Sequence, residues 1–221
     1  MVVHLDYATA RQNMIDGQVR PNGIIDQRLL AAMDTTPREH FVPQHLRSMA
    51  YVDEDIDLGQ GRYLIEPVVT ARMLQALALK PTDLVLEIGT GVGYTTALLA
   101  KLVNTVVTID TSDELIDRAQ TALEELALDN AVAMKSEMTA GYAQQAPYDA
   151  IIINGAVASL PTTICDQLGD NGRLVTVIRK TRGMGQLTLI KRIDKTTSDL
   201  VLYDAGTQVL TGFDAVPSFQ F

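Results

Sequence analysis

The chain has 221 residues, 47% of them apolar, a single cysteine and a formal net charge of −9. That length and apolar content suit one globular domain, or one domain with a small appendage, and the lone Cys165 rules out an internal disulfide framework and points to a reducing, cytoplasmic setting. The acidic balance, with 18 Lys and Arg scattered along the chain, argues against a nucleic-acid backbone binder, and no run reaches the ~18 apolar residues of a membrane span.

In chain order, Asp6 to Gln18 and Asp26 to Thr35 read as two short helices, with Asp26 as the N-cap of the second. PREHFVP, residues 37–43, is a proline-bounded turn. DIDLGQGRYLIEP, residues 55–67, has two glycines and no clear period, which predicts a loop. Glu66 to Leu77 returns to helical spacing, with Pro67 in the first turn, where a missing N–H costs little. From Asp83 the pattern alternates. Strands are predicted at 84–87, 105–109, 131–135, 148–153 and 172–178, with helices at about 93–102, 113–127 and 160–168 between them. After Gly183 and Gly185, QLTLIKRI and LVLYDAG predict an antiparallel hairpin. The expected fold is α/β: a doubly wound, Rossmann-like sheet, preceded by a helical region over 1–80 and closed by the hairpin, with the core over 81–221.

The stretch VLEIGTGVGYTTALLA, residues 85–100, reads as strand, glycine turn and helix. Such a turn places a ligand at the carboxyl edge of a parallel sheet. A dinucleotide site would prefer G-x-G-x-x-G. Here Gly89, Gly91 and Gly93 give G-x-G-x-G, and Glu87 stands two residues ahead of them. A carboxylate at the turn repels a pyrophosphate but suits a cationic group. The next strand ends in Asp110, which can accept two hydrogen bonds from a ribose diol. A ribose, a cationic end and no phosphates describe S-adenosylmethionine. A dinucleotide, or two polar strand ends beside a packing turn, are the competing readings.

The segments LLAAMDTTPREHFVP (29–43), LGQGRYLIEPVVTARML (58–74), VLEIGTGVGYTTALLA, PYDAIIINGAV (147–157), LPTTICDQLGDNGRLV (160–175) and the closing AVPSFQF occur in an order and spacing that resembles the protein-L-isoaspartate O-methyltransferase family. The resemblance implies an S-adenosyl-L-methionine-dependent methyltransferase fold and transfer of methyl to the free carboxylate of isoaspartyl residues in damaged protein. It implies a protein or peptide substrate, and no nucleic acid or membrane. It further implies that Leu64, Glu87, Gly89, Thr90, Gly91, Gly93, Tyr94, Asp110, Glu137 and Met138 line the cofactor. Tyr94 would lie beside the methionine part or simply pack, and Glu137 would bond the adenine amino group.

The chain departs from the family pattern at the acceptor loop. Where the family usually shows Gln-Thr-Ile-Ser-Gln-Pro, this chain has Arg62-Tyr63-Leu64-Ile65-Glu66-Pro67. Ile65 takes the serine position, so a hydroxyl is missing, and Glu66 brings a negative charge toward an incoming carboxylate. Arg62 can offset that charge or bind an acceptor anion. Arg62, Ile65 and Glu66 are therefore the expected catalytic-loop residues. Ser136-Glu137-Met138 stands where the family tends to Gly-Asp-Gly. The altered loop leaves two other outcomes open: a small organic or other acceptor, or a cofactor-binding protein without transfer activity. Asn154 and Gly155, at the end of the fourth strand, are expected to face the acceptor. His40 is a candidate base or a packing residue; His4 and His45 lack the spacing of a metal site. Cys165 is expected in the core, and Asp149 is expected to bond its turn. The N-terminal helices and the 55–67 loop are expected to form a lid. Oligomeric state is not legible.

Overall fold

The computed structural model describes residues 6–59, 61–180 and 183–215. His4 and all but the first residue of the closing AVPSFQF lie outside them. Helix α1 (Tyr7–Met14) and helix α2 (Gln27–Asp34) both begin at an aspartate whose side chain accepts backbone N–H bonds from the first turn. The first helix is shorter than its pattern implies. It passes into a wider turn over Ile15–Val19 and a tight one over Arg20–Asn22, which Gly23 ends at φ +81°.

Residues 55–67 hold a hairpin rather than a loop. Strand β1 (Ile56–Gly59) pairs antiparallel with β2 (Arg62–Leu64), and the register shifts between Asp57 and Gly59. That irregularity is why no period of two shows in the sequence. Helix α3 (Pro67–Ala76) follows, with Pro67 at its first position.

The main sheet then forms from β3 (Leu84–Ile88), β4 (Thr105–Asp110), β5 (Ala131–Lys135), β6 (Tyr148–Val157), β7 (Leu168–Ile178), β8 (Gly185–Ile193) and β9 (Thr196–Ala205). Their order across the sheet is β5-β4-β3-β6-β7-β8-β9. The first five are mutually parallel; β8 and β9 add antiparallel. From β3 the chain winds outward to β4 and β5, then returns to lay β6 on the other side. The carboxyl ends of β3 and β6 therefore flank a crevice where the winding reverses, the position at which such sheets take ligands.

Helix α4 (Tyr94–Ala100) and α5 (Asp113–Glu125) cover one face with α2 and α3. There Val85, Val106, Ala150, Ile152 and Val175 meet Ala97, Leu98 and Leu99 in one cluster that also takes in Met14, Leu29 and Met33 of the N-terminal region. Alternate residues Leu86, Ile88, Val107, Ile109, Ile151 and Ile153 point to the other face. That face is covered lightly. The helix expected over 160–168 is a single turn, α6 (Thr162–Cys165), and Leu210 and Phe213 of the C-terminal segment complete the cover. Cys165 is half-buried on that turn rather than in the core. Asp149 bonds its neighbour strand, accepting the Leu84 N–H at 2.8 Å.

Candidate active site

The turn between β3 and α4 departs from ordinary L-residue backbone at three glycines, with φ of +90° at Gly89, +53° at Gly91 and +88° at Gly93. They serve different ends. A side chain at Gly93 would meet Ala119 Cβ at 3.0 Å, so this glycine lets α5 pack against the turn. At Gly91 a Cβ would meet nothing within 4 Å, so the backbone here faces open space, as close approach of a ligand requires. The turn is pinned from below by the Gly89 and Thr90 N–H groups, which donate to Ile109 O at 2.9 and 3.1 Å, and by the Thr90 hydroxyl against that of Thr108 at 2.6 Å.

Glu87 is completely buried beneath the turn. The Thr96 hydroxyl donates to it, and Asn154 Nδ2 lies 3.2 Å from Oε1 and 3.3 Å from Gly89 O. Asn154 thus ties the tip of β6 to both the acid and the turn. Burial pushes the Glu87 carboxyl up to about 8; the Thr96 hydroxyl opposes the rise and the Asp110 charge adds to it.

Asp110, at the tip of β4, is also fully buried. Its carboxylate accepts from the backbone N–H groups of Gly91 at 3.2 Å, Thr111 at 2.7 Å and Ser112 at 3.2 Å. Arg62 of β2 completes the set as a bidentate pair, Nε to Oδ2 at 3.0 Å and Nη2 to Oδ1 at 2.8 Å. Arg62, expected to offset Glu66 or to bind an acceptor anion, thus clasps the β4 tip. Met138 is buried beside it, its sulfur 3.8 Å from Nη2. Glu137 is exposed and accepts from the Thr139 hydroxyl at 3.0 Å.

In the acceptor loop, Leu64 and Ile65 are buried and Tyr63 half-buried. Ile65 is held through its carbonyl, which accepts from Arg38 Nη2 at 2.7 Å. Arg38 is itself wholly buried, with Nε on Ala50 O at 2.7 Å. The arginine of the PREHFVP turn therefore fixes the acceptor loop in place. The Tyr94 ring packs inward, edge-on to Phe41 with centroids 5.4 Å apart and 4.8 Å from the Arg38 guanidinium carbon, and its hydroxyl has no hydrogen-bond partner among the described residues. His40 is exposed on the turn's outer side. Glu66 donates its N–H to Asp55 at 2.9 Å and its side chain lines neither cavity described next. Burial, with the charges of Asp53 and Asp55 adding to it, raises the Glu66 carboxyl to about 7.

A narrow cleft runs between Tyr63, Ile65, Asn154, Gly155 and Leu210. Asn154 and Gly155 lie within β6 rather than after it, across the cleft from the 62–67 loop. Beyond it opens a cavity of about 630 Å³ bounded by Gly61, Tyr63, Arg179, Lys180, Gln208 and Asp214. Arg179 is steadied by Thr207 O at 3.3 Å from Nη1. Sequence reasoning does not single out Arg179 and Lys180, although they directly follow the last strand expected to be parallel, and so have to fall at the carboxyl edge. Among the described residues no group of three or more His, Cys, Asp or Glu is placed to hold a metal, and no helix is long and apolar enough to cross a membrane.

The acceptors at the crevice fit an adenosyl ligand: a buried carboxylate at the β4 tip and a buried carboxyl group beneath the turn, with open space at Gly91. The Arg62 side chain is what fills the carboxylate's outer side.

Comparison with known proteins bears on this site. The family model described as Protein-L-isoaspartate(D-aspartate) O-methyltransferase (PCMT) matches residues 9–210. A protein-L-isoaspartate O-methyltransferase of Methanoculleus marisnigri is 38% identical over 82% of this chain and 83% of its own length. One of Herpetosiphon aurantiacus is 44% identical over 76% of this chain and 75% of its own. Among solved structures, a protein-L-isoaspartate O-methyltransferase superposes with a TM-score of 0.79 at 23% identity, covering 91% of this chain and 66% of that one. A Plasmodium falciparum structure, titled a putative enzyme of that name in complex with S-adenosyl-L-homocysteine, gives 0.75 at 19% identity, over 94% of this chain and 99% of that one. At these identities the two structures speak for the fold.

Proposed function

The chain belongs to the protein-L-isoaspartate(D-aspartate) O-methyltransferase family, S-adenosyl-L-methionine-dependent enzymes, and from that membership we propose that its acceptor is an isoaspartyl carboxylate lodged in the cavity beside Arg179 and Lys180. The observation that carries the reading is the charge of that cavity. In a chain of net charge −9, its walls bring together two cations and the carboxylate of Asp214, next to the cleft at Asn154 and Gly155.

The chemistry asks little of acid–base groups. A carboxylate of ordinary pKa, about 3.5–4, is ionised at neutral pH. When bound, S-adenosyl-L-methionine supplies a sulfonium methyl group that such an oxygen can attack without a general base. What is left to the chain is alignment and exclusion of water, which can supply several kcal/mol. Arg179 and Lys180 are suited to hold the anion. Ile65 and Tyr63 wall the cleft with apolar surface. Asn154, tied to Glu87 and to the glycine turn, fixes the distance between the cofactor turn and the acceptor cleft. Glu66 is a smaller obstacle than its charge implies. Its carboxyl titrates near neutral pH and its side chain lines neither cavity.

The reading treats residues 1–80 as the wall over the crevice and residues 81–221 as the cofactor core. It assigns the chain to the cytoplasm, supported by its one cysteine. A small organic acceptor, or binding without transfer, is not favoured by the family membership.

Incubation with methyl-labelled cofactor and an isoaspartyl peptide tests the proposal. Base-labile label is expected on that peptide and not on its aspartyl counterpart. The double variant R179A/K180A is expected to raise KM for the peptide about 10- to 100-fold, the loss of a charge-assisted contact, with kcat little changed. Equal labelling of both peptides, or a KM indifferent to the double variant, sinks it.

A further inference from the structure

The carboxylate a ribose would need is already fully subscribed. Five donors share the two oxygens of Asp110: three backbone N–H groups and two from Arg62. A carboxylate offers about four lone-pair sites, so ribose hydroxyls have no place while Arg62 remains. The guanidinium also lies 3.1 Å from the Thr111 hydroxyl and 3.8 Å from the Met138 sulfur, between the β4 tip and the turn expected to meet the adenine. A cation held there also opposes a sulfonium ligand by like charge.

Resting on the cofactor reading above, we infer that Arg62 is an internal occupant of the ribose seat, so that cofactor and guanidinium compete for the Asp110 carboxylate. Two further observations support a contact that yields. Arg62 Nη1 is buried with no hydrogen-bond partner among the described residues, so the pair is incompletely satisfied, and an unpaired buried donor carries a desolvation penalty. Among the described residues the strand bearing Arg62 pairs with β1 and with no strand of the main sheet, and Gly59 and Gly61 beside it stand at φ +83° and +68°. Withdrawal of the Arg62 side chain therefore breaks no ladder of the main sheet. Because β2 runs straight into Ile65, whose carbonyl Arg38 holds, withdrawal of Arg62 is felt at the hinge of the acceptor wall. Cofactor entry and the shape of the acceptor cleft are thereby coupled through the consecutive residues 62–66.

Calorimetric titration with S-adenosyl-L-homocysteine tests this, because the sign of the effect is unusual. A residue that merely supports the site weakens binding when removed, whereas R62Q is expected to bind about 10- to 100-fold tighter, since the closed population no longer taxes the affinity. A second readout uses the unaltered protein. The Arg62 Nε–H resonance, sheltered by the ion pair, is expected to shift and exchange faster once the protein is saturated with S-adenosyl-L-homocysteine. If R62Q does not fold, this resonance decides alone. Equal or weaker binding by R62Q, or an unmoved Nε–H signal in the saturated protein, overturns the competition and leaves the cofactor reading standing. No binding by either protein overturns both.

Discussion

Glu87 shows how burial and chemistry meet in one side chain. An isolated glutamate titrates at 4.5 and the folded one at about 8, chiefly because burial disfavours its charge. The sign follows directly. Between those two values the folded state holds a proton that the unfolded state has released, so raising the pH favours unfolding, with a limiting slope of ~1.4 kcal/mol per pH unit. Below 4.5 and above about 8 the group contributes no slope. The melting temperature of the protein is therefore expected to fall as the pH is raised from the lower of these values to the higher, and E87Q is expected to flatten that fall. Identical pH profiles for the two proteins contradict the assignment. Glu66, raised to about 7, acts in the same direction over a narrower window. Being half-buried, it is better screened and contributes less.

At the scale of the element, the glycine turn separates stability from binding. Gly91→Ala places a methyl group in open space, at a backbone angle of +53°. Its stability cost is that of left-handed backbone, ~1–2 kcal/mol, whereas the methyl enters the space a ligand needs. Gly93→Ala meets Ala119 Cβ at 3.0 Å and Cα at 3.2 Å and adds overpacking of ~1–3 kcal/mol to the same backbone term. Denaturant melts should rank G93A well below G91A in stability. Calorimetry with S-adenosyl-L-homocysteine should show G91A weakened about tenfold or more. The reverse ranking means the two glycines have been given each other's roles.

The same turn explains what can be read from the sequence. Strands β3, β4 and β5 are short apolar runs bounded by turn residues, and their periods are visible without tertiary knowledge. The β1–β2 hairpin is not visible, because its pairing is irregular at Asp57 and Gly59. The Arg62–Asp110 pair spans 48 positions, and no local pattern signals a contact of that range. Arg62 stands out in the sequence as a departure from the family loop, yet its partner can be named only once β2 is seen folded back over the β4 tip. Tyr94 is expected beside the cofactor for its place after Gly93. Packing is the other reading, and the ring does pack inward, against Phe41 and Arg38.

For the whole molecule, the lightly covered face of the sheet matters most. Leu210 is nearly fully buried and stands against both Gly89 and Gly155, where added Cβ atoms would lie 3.0 and 2.9 Å from it. Its backbone N–H donates to Ala156 O at 2.8 Å. One leucine of the C-terminal segment therefore plugs the joint between the cofactor turn and the β6 tip. Leu210→Ala is expected to cost ~2–5 kcal/mol in denaturant unfolding, the usual range for an emptied core leucine site. It is also expected to speed hydrogen exchange at Gly89 and Thr90. A loss below ~1 kcal/mol, short of that range, means that the segment merely drapes the sheet.

Strand β3 does not neighbour the strand that precedes β6 in the chain; it pairs with β6 itself, Val85 beside Ala150. During synthesis the growing polypeptide can complete the outer ladder of β3, β4 and β5 early, while Glu87 and the glycine bend still lack the amide that binds them together. Asn154 reaches them only when its own strand docks in the centre, a closure of long sequence range and hence slow relative to local pairing. A nascent chain halted before residue 148, where β6 begins, thus carries every glycine of the motif and its bonds to β4 but lacks the Asn154 clasp on Glu87 and Gly89.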